Sequence, residues 1–412
     1  MELTFQDTLT RRESRLSPSS TNPLQMYICG PTVYAPPHVG HARTYLLFDM
    51  VKRFFLVQRG LVRHVQNITD FEDKITMRAN VEGITWQALS RRETAEFDNR
   101  MSALGVLRPD FNPQSSHYVK MMISLIRRLE KQGFTYAKRR SIYFDTSSST
   151  GARNFSADEF LSAHAIPEPG MEALPEAEDP RDFALWKPSR PPAPCWDSPW
   201  GRGMPGWHIE CYAMASRHLT LPMDIHGGGM DLIFPHHYAE NLICMALNGT
   251  AFSKNFLHDA VVTMDAMKMA KSTGNLVNIE EALEEVSPGG LRTYLLSKGY
   301  GERLEFSMYE ACQVDEGWME DHATFLKLLS HDGHQGYPLQ RLERGLKCVT
   351  EAMGRDLGTA EALEALHRVA EDIRGHGSSA LDSGDRSKGR QLLAYHERLL
   401  GLPLLRESKV HP

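Results

Sequence analysis

The sequence predicts an α/β protein whose parallel sheet is divided by an insertion and followed by an α-helical bundle. Three observations predict it. A strand–helix–strand order opens the chain, strand and helix patterns resume after a proline-dense stretch, and spacing beyond about residue 281 is helical.

"MYICGPTVY" (26–34) joins β-formers to a Gly-Pro break and reads as a buried strand ending in a loop. "HVGHARTYLLFDMVKRFFLVQRG" follows with Tyr45, Phe48, Val51 and Phe55 on one helical face and Gly60 as a stop. "LVRHVQNITD" supplies the next strand, so the three form a βαβ unit with parallel strands. Ligands bind such sheets beyond the carboxyl ends of the strands, where Cys29, His38 and Thr69 fall. Helical patterns fill roughly 86–133. From about 135 to 205 the chain is irregular, with "IPEPG" and "KPSRPPAPCWDSPWGRG", and reads as an insertion packed by its own loops. "WHIECYAMASRHL", "MDIHGGG" and "FLHDAVVTM" then restore the sheet pattern. Further on, Leu339, Leu342, Leu346, Val349 and Met353 step by three and four, as do Leu363, Leu366, Val369 and Ile373, and again Leu392, Tyr395 and Leu399. "GHGSSALDSGDRSKG" (375–389) reads as a polar, mobile connector between these helices.

The bulk numbers limit the function classes. A chain of 412 residues needs two or three structural units. No run of about 18 apolar residues suggests a membrane span, and "MELTFQDTLTRRESRL" lacks the apolar stretch of a signal peptide. Six scattered cysteines without disulfide spacing predict a reducing, cytoplasmic setting. With net charge −6, a nucleic-acid partner would need a local basic patch. Residues 331–412 do not offer one, because twelve Lys/Arg are balanced by twelve Asp/Glu.

Several groups could carry chemistry. His236 and Glu240 stand four apart in "HHYAENLICMAL", close enough to share a cation, although a helix-start ion pair reads the same way. Cys29 and Cys211 join them only if the fold brings them near; two thiols, an imidazole and a carboxylate suit zinc. His38 and His41 in "PPHVGHAR" sit at a helix N-terminus, where backbone N–H groups favour phosphate. Lys268 and Lys271 in "MKMAKSTGN" suit a polyphosphate leaving group, or a solvated loop.

"CGPTVYAPPHVGHAR", "NITDFEDKI", "DFALWKPS", "GWHIECYAM", "DIHGGGMDLIFPHH" and "KMAKSTGNL", in this order, closely resemble the cysteinyl-tRNA synthetases, a class I aminoacyl-tRNA synthetase family. "PHVGH" looks like the class I HIGH element and "KMAKS" like KMSKS. The resemblance implies a Rossmann-like class I catalytic domain over 1–280 with an insertion at roughly 115–205. A stem-contact-like helical region at 281–330 would follow, then a helical domain at 331–412 without an evident anticodon-binding module. It implies one zinc ion held by Cys29, Cys211, His236 and Glu240 and bound to the substrate thiol. Gly30, Thr69, Trp207, His208 and His226 would line the cysteine pocket. His38, His41, Lys268 and Lys271 would act on the triphosphate of ATP, with Mg2+. Gly40, Gly227, Gly228, Gly229, Asp231 and Lys271 would bind ATP, Asp231 at its ribose.

The implied activity is ATP-dependent activation of L-cysteine and its transfer to tRNA(Cys) by a monomeric, cytoplasmic enzyme. Ala270 departs from the family pattern, replacing the first Ser of KMSKS. The alternative is a tRNA-independent ligase passing cysteine to a small amine, as in the cysteine ligase of mycothiol synthesis. "CGPTVY", "HAR", "NITDFEDKI" and His226 favour the tRNA ligases; the mycothiol enzyme typically carries "CGITPY" and Gln at the His226 position.

Overall fold

A computed structural model describes residues 1–148, 176–269, 275–330, 336–376, 380–382 and 384–405. An antiparallel pair, β1 (Leu3–Gln6) and β2 (Glu13–Leu16), precedes the central sheet. That sheet contains β3 (Leu24–Ile28), β4 (Val62–Gln66), β9 (Ile225–Gly229) and β10 (Phe256–Asp259), all parallel, in the order β10-β9-β3-β4. The chain leaves β3 toward β4 on one side and returns to β9 on the other. The carboxyl ends of β3 and β9 therefore flank the crevice where such sheets bind ligands.

Helix α1 (Val39–Val57) crosses over between β3 and β4, as its apolar face predicts. Alternation along β3 sets its two faces. Met26 and Ile28 join a core with Phe48, Val51 and Phe55 of α1, whereas Tyr27 and Cys29 enter a second core with Cys211, Tyr212 and Trp186. The close approach of α1 explains Gly227: a Cβ there would lie 2.3 Å from Phe48 and 2.4 Å from the Leu257 carbonyl oxygen.

After β4 come α2 (Asp73–Glu82), α3 (Trp86–Ala103) and α4 (Val119–Lys131). The following segment is more ordered than its prolines suggest. β5 (Thr135–Lys138), β6 (Ser141–Phe144), β7 (Phe183–Pro188) and β8 (Gly203–Pro205) form a four-stranded antiparallel sheet. Trp186 and Phe144 are fully buried there, so this insertion has an apolar core and is not packed by loops alone. The proline-containing stretch "IPEPG" lies outside the described residues. Helices α5 (Trp207–His218) and α6 (Tyr238–Asn248) flank β9.

Beyond β10, the short strands β11 (Val262–Met264), β12 (Met267–Lys268) and β13 (Leu304–Glu305) pair in one sheet. Helices α7 (Ile279–Glu285), α8 (Pro288–Leu295) and α9 (Met308–Leu328) follow. The C-terminal helices are α10 (Leu339–Gly354), α11 (Thr359–Gly375) and α12 (Arg386–Leu400). Leu342, Leu346, Val349, Leu366, Ile373 and Leu399 are buried, as their spacing requires. The connector at 375–389 departs from expectation. Ala380 and Leu381, read as polar linker, form a buried strand, β15, parallel to β14 (Gly336–Tyr337).

A buried ion cluster fastens this bundle to α1. Asp49 accepts from Arg53 Nε at 2.7 Å, from the Leu107 N–H at 2.9 Å, and from Arg292. Arg53 and Arg292 in turn donate to the carbonyls of Arg398 and Leu400 in α12.

Candidate active site

The fold brings the two cysteines together across 182 residues: Cys29 follows β3, Cys211 lies on α5, and their sulfurs are 3.8 Å apart. His236 sits in a one-turn π-helix (Ile233–His237) leading into α6, which carries Glu240 in its first turn. Cys29 Sγ to Glu240 Oε1 is 3.8 Å, Cys211 Sγ to His236 Nε2 is 3.5 Å, and His236 Nε2 to Glu240 Oε1 is 3.4 Å. All four ligand atoms lie within 4.8 Å of one another, and all four residues are buried.

Ordinary zinc bonds in a tetrahedron give edges of about 3.8 Å between sulfurs, about 3.5 Å from sulfur to nitrogen or oxygen and about 3.3 Å from nitrogen to oxygen. The Cys29–Cys211, Cys211–His236 and His236–Glu240 edges match and Cys29–Glu240, at 3.8 Å, is somewhat longer, so the donor set is compatible with a tetrahedral divalent cation. The electrostatics point the same way. Burial pushes the Cys29 thiol well above its usual range, with Cys211 and Glu240 adding to the shift, and pushes Cys211 up to about 11. Burial, with His208 and His226 beside it, holds His236 well below the usual imidazole value. A dication reverses the penalty on the thiolates and needs the neutral imidazole.

The groups behind these ligands orient them. His208 Nδ1 meets His236 Nδ1 at 2.9 Å, and burial, with Lys187 nearby, lowers His208 to about 3. A neutral His208 can accept the His236 Nδ1–H, the tautomer that leaves His236 Nε2 to face the cation position. Trp207 stacks on the His236 ring at 4.0 Å. His226 contacts Glu240 Oε2 through Nε2 at 2.6 Å and the Tyr27 carbonyl through Nδ1 at 3.1 Å. It also forms part of a second donor group, Cys29, His226, His237 and Glu240, which shares two members with the first.

Asn67, in "NITD", joins the site without any sequence pattern that marks it. Its Oδ1 accepts the Tyr27 hydroxyl at 3.1 Å and the Gly30 N–H at 2.8 Å, and its Nδ2 donates to Thr69 at 3.1 Å. Gly30 has no room for a side chain, since a Cβ would fall 1.5 Å from the Asn67 carbonyl oxygen. Glu210, beside Thr69, is held well above the usual carboxylate range by burial. His237, whose role the sequence left open, packs its Nδ1 against His258 Nε2 at 2.7 Å.

At the other end of the crevice, His38 caps α1. Its Nδ1 accepts from the N–H groups of Gly40 (3.1 Å) and His41 (3.4 Å), and His41 Nδ1 accepts from the His38 N–H at 3.3 Å. Both Nδ1 atoms are acceptors, so the ring protons sit on Nε2, and the two rings stack at 3.8 Å. Gly228 and Gly229 border the same crevice, and Asp231 follows them. Lys271 and Ala270 lie outside the described residues, as does the side chain of Lys268. Residues 277–279 nevertheless bond to the α1 loop: Val39 N–H reaches the Val277 carbonyl at 3.1 Å and Ile279 N–H the Pro37 carbonyl at 3.1 Å.

The family described as "tRNA synthetases class I (C) catalytic domain" matches residues 15–315. The chain is 36% identical over 376 residues to the cysteine–tRNA ligase of Metallosphaera sedula, covering 88% of this chain and 79% of that protein. The chain belongs to the class I cysteine–tRNA ligase family. The family member of Rhodospirillum centenum is 37% identical over 374 residues, 90% of this chain and 79% of the relative. Among solved structures, the methionyl-tRNA synthetase of Mycobacterium tuberculosis with methionyl-adenylate has a TM-score of 0.65 at 17% identity. That match covers 92% of this chain and 88% of the other, and at this identity it shows the fold, a class I Rossmann-like α/β architecture. Among the described residues no helix is long and apolar enough to cross a membrane.

Proposed function

We propose that this protein is a cysteine–tRNA ligase, which activates L-cysteine with ATP, releases pyrophosphate, and transfers the cysteinyl group to the terminal ribose of tRNA(Cys) with release of AMP. The observation that carries the reading is the buried Cys29–Cys211–His236–Glu240 set with tetrahedral edges, placed at the same sheet edge as the N-terminus of α1. Zinc, held by these four residues, supplies a Lewis acid that favours a thiolate and offers little to a serine hydroxyl at neutral pH.

The chain's own residues do the rest. Gly30, Thr69, Trp207, His208 and His226 shape the cysteine pocket, and His208 and His226 also contact the ligands His236 and Glu240. His38 and His41 direct two Nε2–H donors and the helix N-terminus at the triphosphate as the cysteine carboxylate attacks the α-phosphorus. Lys268 and Lys271 would stabilise the departing pyrophosphate, and Mg2+ would supply further positive charge. Catalysis is then orientation and charge stabilisation, and no side chain serves as a nucleophile.

ATP–pyrophosphate exchange dependent on cysteine and not on serine tests the first step. Radiolabelled cysteine offered with ATP, tRNA(Cys) and glucosaminyl-inositol tests the second. Label in the small-molecule product alone would transfer the assignment to the tRNA-independent ligases.

A further inference from the structure

Asp259, at the carboxyl end of β10, is 3% exposed, and its Oδ1 has no hydrogen-bond partner among the described residues. Its Oδ2 accepts the Thr44 hydroxyl at 3.1 Å. Thr44 lies on α1, one turn beyond Gly40. Arg43, whose charge acts on Asp259, aims its guanidinium at the carbonyls of Ala260, Gly299 and Glu302.

The register shows which way Asp259 faces. It pairs with Gly229 across β9 and β10, and paired residues of parallel strands share a face. Two residues earlier on that face, Gly227 lies against Phe48 of α1, so the Asp259 carboxylate is directed at the N-terminal half of α1. A Cβ on Gly229 would sit 2.5 Å from Asp231 Oδ1 and 3.9 Å from Asp259 Oδ1. The missing side chain at Gly229 thus leaves a notch with one carboxylate on each side, on the face of the sheet that packs against α1.

Both walls of the notch are acceptors, which calls for a ligand with two adjacent donors. Burial pushes Asp259 up to about 7, and the neighbouring Asp231 carboxylate adds to the shift while Arg43 and Thr44 oppose it. We infer that Asp259 is a second ribose-binding carboxylate, gripping one hydroxyl of the nucleotide's cis-diol while Asp231 takes the other. The inference rests on the adenylate-forming reading above and goes beyond it: ribose recognition becomes two-pronged, and the active site discriminates ATP from its deoxy analogues.

The test is cysteine-dependent pyrophosphate exchange with ATP, 2′-deoxy-ATP and 3′-deoxy-ATP, run on the wild type, Asp259→Ala and the near-isosteric Asp259→Asn. Zinc content and cysteine KM report that the variants are folded. The wild type should bind each deoxy analogue about tenfold more weakly, the scale of one hydrogen bond to a charged group. Asp259→Ala should raise the KM for ATP by about the same factor, with a smaller rise for Asp259→Asn. For one of the two analogues Asp259→Ala should cost little more, because the hydroxyl it would have held is already gone. Additive losses for both analogues, an unchanged ATP KM, or activity restored by excess Mg2+ would overturn the inference. Absence of exchange in the wild type would instead remove the adenylate-forming reading on which it stands.

Discussion

Replacing Asp49 by Asn keeps the shape of the side chain and removes the only carboxylate of the cluster that joins α1 to the C-terminal helices. Asp49 and Arg292 are both almost wholly buried, and Arg53 is only 10% exposed at its side chain. Burial alone would raise the Asp49 pKa, but Arg292 and Arg53 overcome it and hold the carboxyl below its ordinary 3.8. The variant leaves two guanidinium groups facing an uncharged amide in a buried site. Breaking a buried pair from one side costs about 3–5 kcal/mol. For a chain of 412 residues the unfolding entropy is about 0.9 kcal/mol/K, so the melting temperature should fall by about 3–6 °C.

Calorimetry at 0.05 and 0.5 M salt is the assay, with Glu364→Gln as an exposed control that loses only its ion pair with Arg368. The control should stay within about 1 kcal/mol of wild type, and salt should not narrow the Asp49→Asn gap. A carboxylate with a depressed folded pKa contributes fully above its unfolded value and loses that contribution as pH falls through the folded one. The gap should therefore be constant from about pH 5 to 8 and close only in strong acid. A loss of less than 1 °C, or one that salt removes, would refute the buried-clamp account.

Three further outcomes concern the metal pocket. Cys211→Ala should lose bound zinc and raise the cysteine KM sharply; unchanged zinc by atomic absorption would refute the ligand set. His208→Ala should keep all four ligands but weaken zinc about 10–100-fold in a competitive chelator titration, because His236 loses its orienting acceptor. Gly30→Ala should disturb both the Asn67 contact and the adjacent Cys29, lowering zinc stoichiometry. Gly301→Ala, where a Cβ meets nothing within 4 Å, should leave it intact.

The sequence made parts of this site readable and hid others for identifiable reasons. His236 and Glu240 are four residues apart, so local geometry alone suggested a shared cation. Cys29 and Cys211 are joined only by the pairing of distant strands, and it was family resemblance, not spacing, that placed them together. The α1 face and the stripes of α10 to α12 carried strong helical periods and folded accordingly. The insertion strands did not announce themselves: "TYAK" and "SIYF" are four residues each, too short to show a period beside prolines. Ala380 and Leu381 form a two-residue buried strand inside a polar run, which no window average can detect. Asp259 was hidden because its meaning depends on Gly229 and Thr44, contacts made through the sheet register and across to α1.

The adjacency of β3 and β9 also governs how freely this chain can vary. The Gln25 N–H bonds the Asp224 carboxylate at 2.9 Å across 199 residues, so everything between them, from α1 to α5, is one closed excursion. The entropy of closing a loop grows with the logarithm of its length, and doubling such an excursion costs only about 0.6 kcal/mol. That is on the scale of a single net hydrogen bond in the ladder it closes, about 0.5–1.5 kcal/mol. Segments within the insertion can therefore lengthen or shorten with little thermodynamic effect on the sheet edge where the cysteines meet. The geometry of the metal pocket is in this way insulated from the size of the chain that intervenes, and remodelling can proceed around chemistry that stays fixed.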